Sequence, residues 1–287
     1  MSENINEAVK NGGEAATKQQ LIRAMRSVKK DSLKLIATFV SKCSDMRLVA
    51  DHLLPPLLDA VLFDYQRNIP AAREPEVLSA MAQVITKLGS VAQPQVPLIL
   101  DAVFECTLSM IDKNFEEYPE HRTCFFQLLS AVQSSCFGAL VALSPAQFKL
   151  VLDAVIWACK HVMRDVSETG LQVLFSLLKQ LPATDDAAAQ RFFATHYLDL
   201  LHHMLTIVTD SSHSYAFSYH CQILAFMFVL VENGQVKVNL AVPPSGVTPQ
   251  GVTAYSQEQT ASPETNTTTV QMFLTSVLQS AFPHLNQ

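Results

Sequence analysis

The tripeptide Leu-Asp-Ala recurs in one setting: Leu58-Asp59-Ala60-Val61, Leu100-Asp101-Ala102-Val103 and Leu152-Asp153-Ala154-Val155, with a weaker copy at Leu198-Asp199-Leu200. The aspartates lie 42, 52 and 46 residues apart, and each copy is followed by a second apolar helical stretch. That period belongs to a two-helix repeat of roughly 40–47 residues. A single hairpin cannot bury both of its apolar faces, so such units stack and share a continuous core. The chain is therefore expected to be all-α, an α-α superhelix of the armadillo-like, HEAT-repeat solenoid kind. The aspartates either line a ligand path or, as the same role in every repeat favours, serve the architecture by bonding to a neighbouring repeat or a turn amide.

Within the third copy Phe148, Val151, Leu152, Val155, Ile156, Cys159 and Val162 keep helical spacing and form one stripe. Each first helix has proline near its start, at Pro55 and Pro56, Pro97 and Pro145, where the amide hydrogen has no acceptor to lose. Ser144 is placed as an N-cap. The partner helices read 74–88, 120–136, 166–181 and 215–231, each closed by a polar, Gly- or Pro-containing break. The composition, 49% hydrophobic with 8 Gly in 287 residues and almost no alternating pattern, fits an extended helical chain. The paired phenylalanines Phe125-Phe126 and Phe192-Phe193, with Phe226 and Phe228, are expected in the core.

Charge is unevenly placed. Residues 1–50 hold nine Lys or Arg against five Asp or Glu, while the remainder holds 11 against 21. If Leu21, Met25, Val28, Leu35 and Phe39 face inward on one helix over 18–43, Arg23, Arg26, Lys30 and Lys34 gather on the opposite face. That strip is either a solvated helix face or a docking surface for an acidic partner. Nucleic acid is a poor candidate, because the chain is acidic overall and the strip has no interleaved aromatic residues.

Chemistry-bearing constellations are scarce. Ser27-Val28-Lys29-Lys30 fits Ser-x-x-Lys, but the companion hydrolase motifs are absent, as are Walker, dinucleotide-binding and His-Glu-x-x-His patterns. No catalytic residue, cofactor or metal site is assigned. The six cysteines never approach Cys-x-x-Cys spacing and read as free core thiols, and adjacent His202 and His203 as surface or boundary side chains. Asn266-Thr267-Thr268 matches a glycosylation acceptor only formally. The longest apolar run, 223–231, is short of the roughly 20 residues a membrane span needs, and residues 1–20 lack a signal-peptide core. A soluble, intracellular chain without membrane insertion is expected.

Residues 240–269 turn rich in Pro, Ser, Thr, Gly and Gln and read as a disordered loop, after which Val270, Phe273, Leu274, Val277 and Leu278 resume a helical stripe. The repeat array is placed at 18–285, preceded by a polar segment at 1–17 that continues from missing repeats. An array ending on a helix with no following partner leaves Phe273, Val277, Leu278 and Phe282 as an exposed apolar patch, so self-association is expected.

The wording of the repeats carries a resemblance. Leu54-Pro55-Pro56-Leu57-Leu58-Asp59-Ala60-Val61-Leu62, Asp64-Tyr65-Gln66-Arg67-Asn68 and Pro70-Ala71-Ala72-Arg73-Glu74-Pro75-Glu76 resemble the exportin-one family of nuclear export receptors. So do Asp101-Ala102-Val103-Phe104-Glu105-Cys106-Thr107, the stretch from Asn114 to Arg122, Gln147 to Asp153, and Ser280 to Leu285. The likeness covers roughly 18–240 and 270–285. It implies the C-terminal part of a karyopherin of the importin-β superfamily. Such a receptor binds leucine-rich export-signal cargo together with the GTP form of Ran, touches phenylalanine-glycine nucleoporins, and shuttles between nucleus and cytoplasm without catalysis. In that family the export-signal groove and the main Ran-binding repeats lie upstream of the matched strings. The competing reading is a generic HEAT-repeat scaffold for a signalling or regulatory assembly.

Overall fold

The computed structural model describes residues 1–112, 117–242 and 261–281. Among them regular structure is helical throughout and no strand forms. The helices are α1 Ser2–Gly12, α2 Gln20–Lys42, α3 Leu54–Leu57, α4 Phe63–Arg67, α5 Glu76–Leu88, α6 Val96–Ile111, α7 Pro119–Ser135, α8 Phe137–Val141, α9 Pro145–Cys159, α10 Arg164–Gln180, α11 Asp186–Val208, α12 Phe217–Glu232 and α13 Pro263–Ala281. The chain divides into two compact units, Met1–Leu143 and Ser144–Gln287.

In the first unit α3 and α4 belong to one continuous rod over 46–67, and wide π-type turns at Leu48–Leu53 and Leu58–Leu62 flank its proline pair. Pro55 and Pro56 have no N–H for the carbonyls one turn back, so the helix widens around them. This rod packs on α6, while α2, α5 and α7 pack side by side in a second row. The core between the rows is apolar, with Leu78, Met81, Ile85, Ile99, Phe125 and Phe126 fully buried. Arg73 ties the turn together, its guanidinium donating to the carbonyls of Tyr65 and Cys106 at 2.9 Å each. Gly89, at φ 55°, ends α5 in a conformation that a side chain would strain.

The second unit repeats the hairpin: α9 packs on α10, α11 on α12, and α13 on α12 and α11. Ser144 caps α9 in a full capping box with Gln147, as its position in the sequence implies. Val151, Leu152, Val155 and Cys159 of the predicted stripe are buried, but Val162 is exposed, because α9 ends at Cys159 and the stripe has no helix left to follow. Gly170 permits the close approach of α10 to α9, since a Cβ there would lie 2.7 Å from Ala158 Cβ. The predicted core phenylalanines Phe125, Phe126, Phe192 and Phe193 are buried, while Phe226 and Phe228 are half-buried.

Other expectations are redrawn. Cys136 and Cys159 are buried and burial pushes the Cys159 thiol up to about 12, but Cys43, Cys106 and Cys124 are half-buried and Cys221 is exposed. The loop expected over 240–269 is cut short, because α13 begins at Pro263; residues 243–260 lie outside the described residues. Residues 1–17 are not merely a polar lead, since α1 forms and buries Ile5 against Ile22 and Ala72. Two stretches, Glu76–Ile111 and Ser211–Glu232, have the length and composition of a membrane span. The first is broken at Gly89 into separate packed helices, and the second buries Ile223, Met227 and Leu230.

Candidate functional site

The basic helix α2 does bring Arg26, Lys30 and Lys34 to one face, one turn apart, but that face is turned toward the chain's own carboxylates. Arg26 grips Glu74 with two hydrogen bonds, at 2.8 and 3.2 Å. Lys30 stands 3.7 Å from Glu74, 3.9 Å from Glu76 and 3.8 Å from Glu120, and Lys34 stands 3.6 Å from Glu76. Arg23 remains exposed on the same helix. Glu74 sits in the turn before α5 with its side chain wholly buried, so the two cations compensate a charge that has left water. The hydrogen bond to Glu74 leads in raising Arg26 above its ordinary value. Nothing in the order of residues announced these partners, which arrive from α5 and α7, 40 and more positions downstream.

A further cation of α2, Lys29, reaches Asp64 at 3.0 Å and the Ala72 carbonyl at 2.8 Å. Burial works against the Asp64 carboxylate, yet hydrogen bonds from Lys29 and Ser2 outweigh it and hold the group below its usual range. Beside this network His121 is buried with Nε2 3.2 Å from the Arg73 carbonyl, and burial pushes it down to about 4. The Ser-x-x-Lys pair does not assemble a nucleophile: Ser27 Oγ is directed to Asp31 at 3.4 Å, and Lys30 is held among three carboxylates. Among the described residues no group of three or more His, Cys, Asp or Glu side chains is gathered as for a metal ion.

Because the cations face in, the apolar stripe of α2 faces out, the reverse of the sequence expectation. Leu21 is 66% exposed and Leu35 71%, with Val28 and Phe39 also exposed, and only Met25 is half-buried. Ile22, Leu33 and Val40 take the inner positions instead. Three buried aliphatic anchors and a desolvated carboxylate together decide the rotation of the helix. Pattern alone could not choose, since α2 carries an apolar residue on both sides.

The recurring aspartates lie on the outer faces of their helices rather than in the buried seams. Asp59, Asp101, Asp153 and Asp199 are all exposed, and Asp153 pairs with Lys149 one turn away at 2.6 Å. The leucine of each copy, Leu58, Leu100 and Leu152, is buried, and so are the Ala-Val pairs of the second and third copies, whereas Ala60 is exposed and Val61 half-buried in the first, where the helix turns in wide π-type fashion; the aspartate marks the outer face of that helix.

At the last helix, Phe273 and Val277 are half-buried and Leu278 is exposed, while Phe282 lies outside the described residues; Met272 is a further exposed apolar side chain, 69% open. What fastens α13 is polar. Asn266 is fully buried, donating to the carbonyls of Val236 and Val238 at 2.9 and 2.8 Å and accepting from the Leu240 amide at 3.1 Å. Gln190 of α11 clasps the same extended segment, accepting from the amides of Lys237 and Val238 and donating to the Gln235 carbonyl. The formal glycosylation triplet is thus a structural amide.

The comparisons with known proteins agree with this architecture. The family described as CRM1 C terminal matches residues 1–287. Exportin-1 of Drosophila melanogaster is 46% identical over 286 residues, covering 99% of this chain and 25% of that protein. Exportin-1 of Schizosaccharomyces pombe is 40% identical over 281 residues, 98% of this chain and 25% of that protein. Exportin-1 of Dictyostelium discoideum is 46% identical over 269 residues, 92% of this chain and 25% of that protein. The chain therefore spans about a quarter of the length of the curated relatives it matches.

Proposed function

Since this chain belongs to the CRM1 C-terminal family, we propose that it is the C-terminal helical-repeat portion of a nuclear export receptor. The observation that carries this reading is identity of 40–46% sustained over almost the whole chain, against relatives named as exportins. The two-row hairpin architecture supports it, because stacked repeats offer long exposed helix faces to macromolecules rather than a closed pocket.

In this reading the chain works by binding and does no chemistry. Its partners are those of the family: Ran in its GTP form, phenylalanine-glycine nucleoporins on exposed apolar helix faces, and, through repeats beyond this quarter, export-signal cargo. Cargo and GTPase then promote each other's binding as a reciprocal coupling free energy, carried by small shifts between stacked helices. The receptor passes between nucleus and cytoplasm.

The direct test is a pull-down of the purified chain with Ran loaded with GTP or GDP, a phenylalanine-glycine nucleoporin fragment and an export-signal peptide. Binding of the nucleoporin fragment, or of Ran selectively in its GTP form, without binding of the peptide is the expected outcome. Retention of none of the three removes the reading for this chain.

A further inference from the structure

The outward stripe of α2 is built symmetrically about one residue. Leu21 precedes Val28 by seven positions and Leu35 follows it by seven, while Ala24 and Ser32 stand four to either side. Seven residues turn an α-helix through about 700°, roughly 20° short of two full turns, so the five side chains share one face about 80° wide. All five are exposed, Leu21 at 66%, Val28 at 49% and Leu35 at 71%, and all lie inside the unbroken α-helix Gln20–Lys42. Arg26 and Lys30, which reach Glu74 and Glu76 at the start of α5, point about 160° away from Val28. The stripe is therefore the edge of the α2, α5, α7 row that looks away from α5.

The chemistry of this edge narrows what can cover it. None of the five residues is charged, and the one hydroxyl is already engaged, because Ser32 Oγ donates to the Val28 carbonyl at 2.8 Å. Arg26, Lys30 and Lys34 are ion-paired within the chain on the other side of the helix. An apolar partner is called for, and the order of the side chains says which one. Large, small, medium, small, large reads the same from either end, so the face is its own complement about a two-fold axis, as an isologous interface requires.

We propose that this face is a dimerisation seam, in which α2 of a second copy of the chain lies antiparallel across the first and the two-fold axis passes beside Val28. Leu21 packs on the partner's Leu35, Val28 on the partner's Val28, and Leu35 on the partner's Leu21. Ala24 and Ser32 are the small side chains that let the two axes approach to about 8 Å. The antiparallel order sets the positive end of each helix dipole beside the negative end of the other. Phe39, 46% exposed, extends the apolar contact one turn past Leu35. A seam one helix long lies at the small end of specific interfaces, so the dimer is reversible at micromolar concentration. It needs neither Ran nor a nucleoporin, and it stands or falls apart from the export reading.

The test is sedimentation equilibrium of the full chain across the micromolar range. Mass should rise from 31.7 kDa toward twice that value and stop there. Val28→Glu should raise the dissociation constant at least about tenfold, with an unchanged thermal melt, since Val28 lies outside the core. Leu21→Lys with Leu35→Glu should dimerise about tenfold more tightly than Leu21→Lys with Leu35→Lys, because only the antiparallel pair sets the opposite charges together. Orientation is read by a short bis-maleimide on chains carrying Leu21→Cys or Leu35→Cys, with the unmodified chain as control for the native thiols. The mixture should yield a bridge between positions 21 and 35 in peptide mapping. Neither chain alone should bridge its own position, since the antiparallel order holds like positions about 21 Å apart. A monomer at every concentration, undiminished association of Val28→Glu, or a bridge from position 21 to position 21 would overturn the proposal.

Discussion

Glu74 concentrates the electrostatics of the first unit, because its side chain is wholly buried and accepts two hydrogen bonds from Arg26. Removing the arginine leaves a carboxylate in a dry site with Lys30 alone at 3.7 Å. Arg26→Ala is therefore expected to cost about 2–3 kcal/mol in chemical denaturation, and Arg23→Ala, exposed on the same helix, close to nothing. His121 adds a pH dependence of defined sign. Its folded value of about 4 lies below the ordinary 6.5, so the unfolded chain binds its proton first. The stability it contributes is whole above about pH 6.5 and is lost as pH falls toward 4, up to about 3 kcal/mol. Thermal melts across that window should show the decline, and His121→Gln should flatten it. Burial also leads in lowering His196, His203 and His220, which steepens the same slope in the second unit.

At the scale of elements, α2 and α13 are fastened by different physics. α2 docks through ion pairs and three aliphatic anchors, whereas α13 buries only Asn266 and Val270 among its described residues. Asn266→Ala would strand two carbonyls and one amide in the interior, so a loss of about 2–4 kcal/mol is expected, with faster hydrogen exchange over 235–240 before any change in α5 or α7. Asn266→Asp should do no better, since it keeps the acceptor for Leu240 and loses both donations. The helices themselves were legible in the residues: proline at the starts of α6, α7 and α9, glycine after α5, and the Ser144 box each leave a local signal. The start of α13 inside a Thr-rich tract was not, because its stabilising contacts come from 26–30 positions away.

For the whole molecule, the exposed stripe of α2 is expected to govern association in solution. Leu21, Val28, Leu35 and Phe39 present four apolar side chains on one 23-residue helix, enough to drive association. Sedimentation or light scattering at rising concentration should report growing mass for the unmodified chain. Leu21→Glu with Leu35→Glu should suppress that growth without lowering the melting temperature, since neither side chain is in the core; unchanged association in this variant would assign it to another surface. What the sequence determined by itself was the helical hairpin, its period, its caps and its family, because these rest on spacing within a few turns and on long literal strings. Which way α2 turned, that Arg26 and Lys30 meet Glu74 while Lys34 meets Glu76, and that the recurring aspartates face water were decided only by the tertiary structure. A helix with apolar residues on both sides has no preferred rotation until a distant buried carboxylate demands a cation, and an exposed aspartate repeats as faithfully as a buried one when the core residues around it repeat.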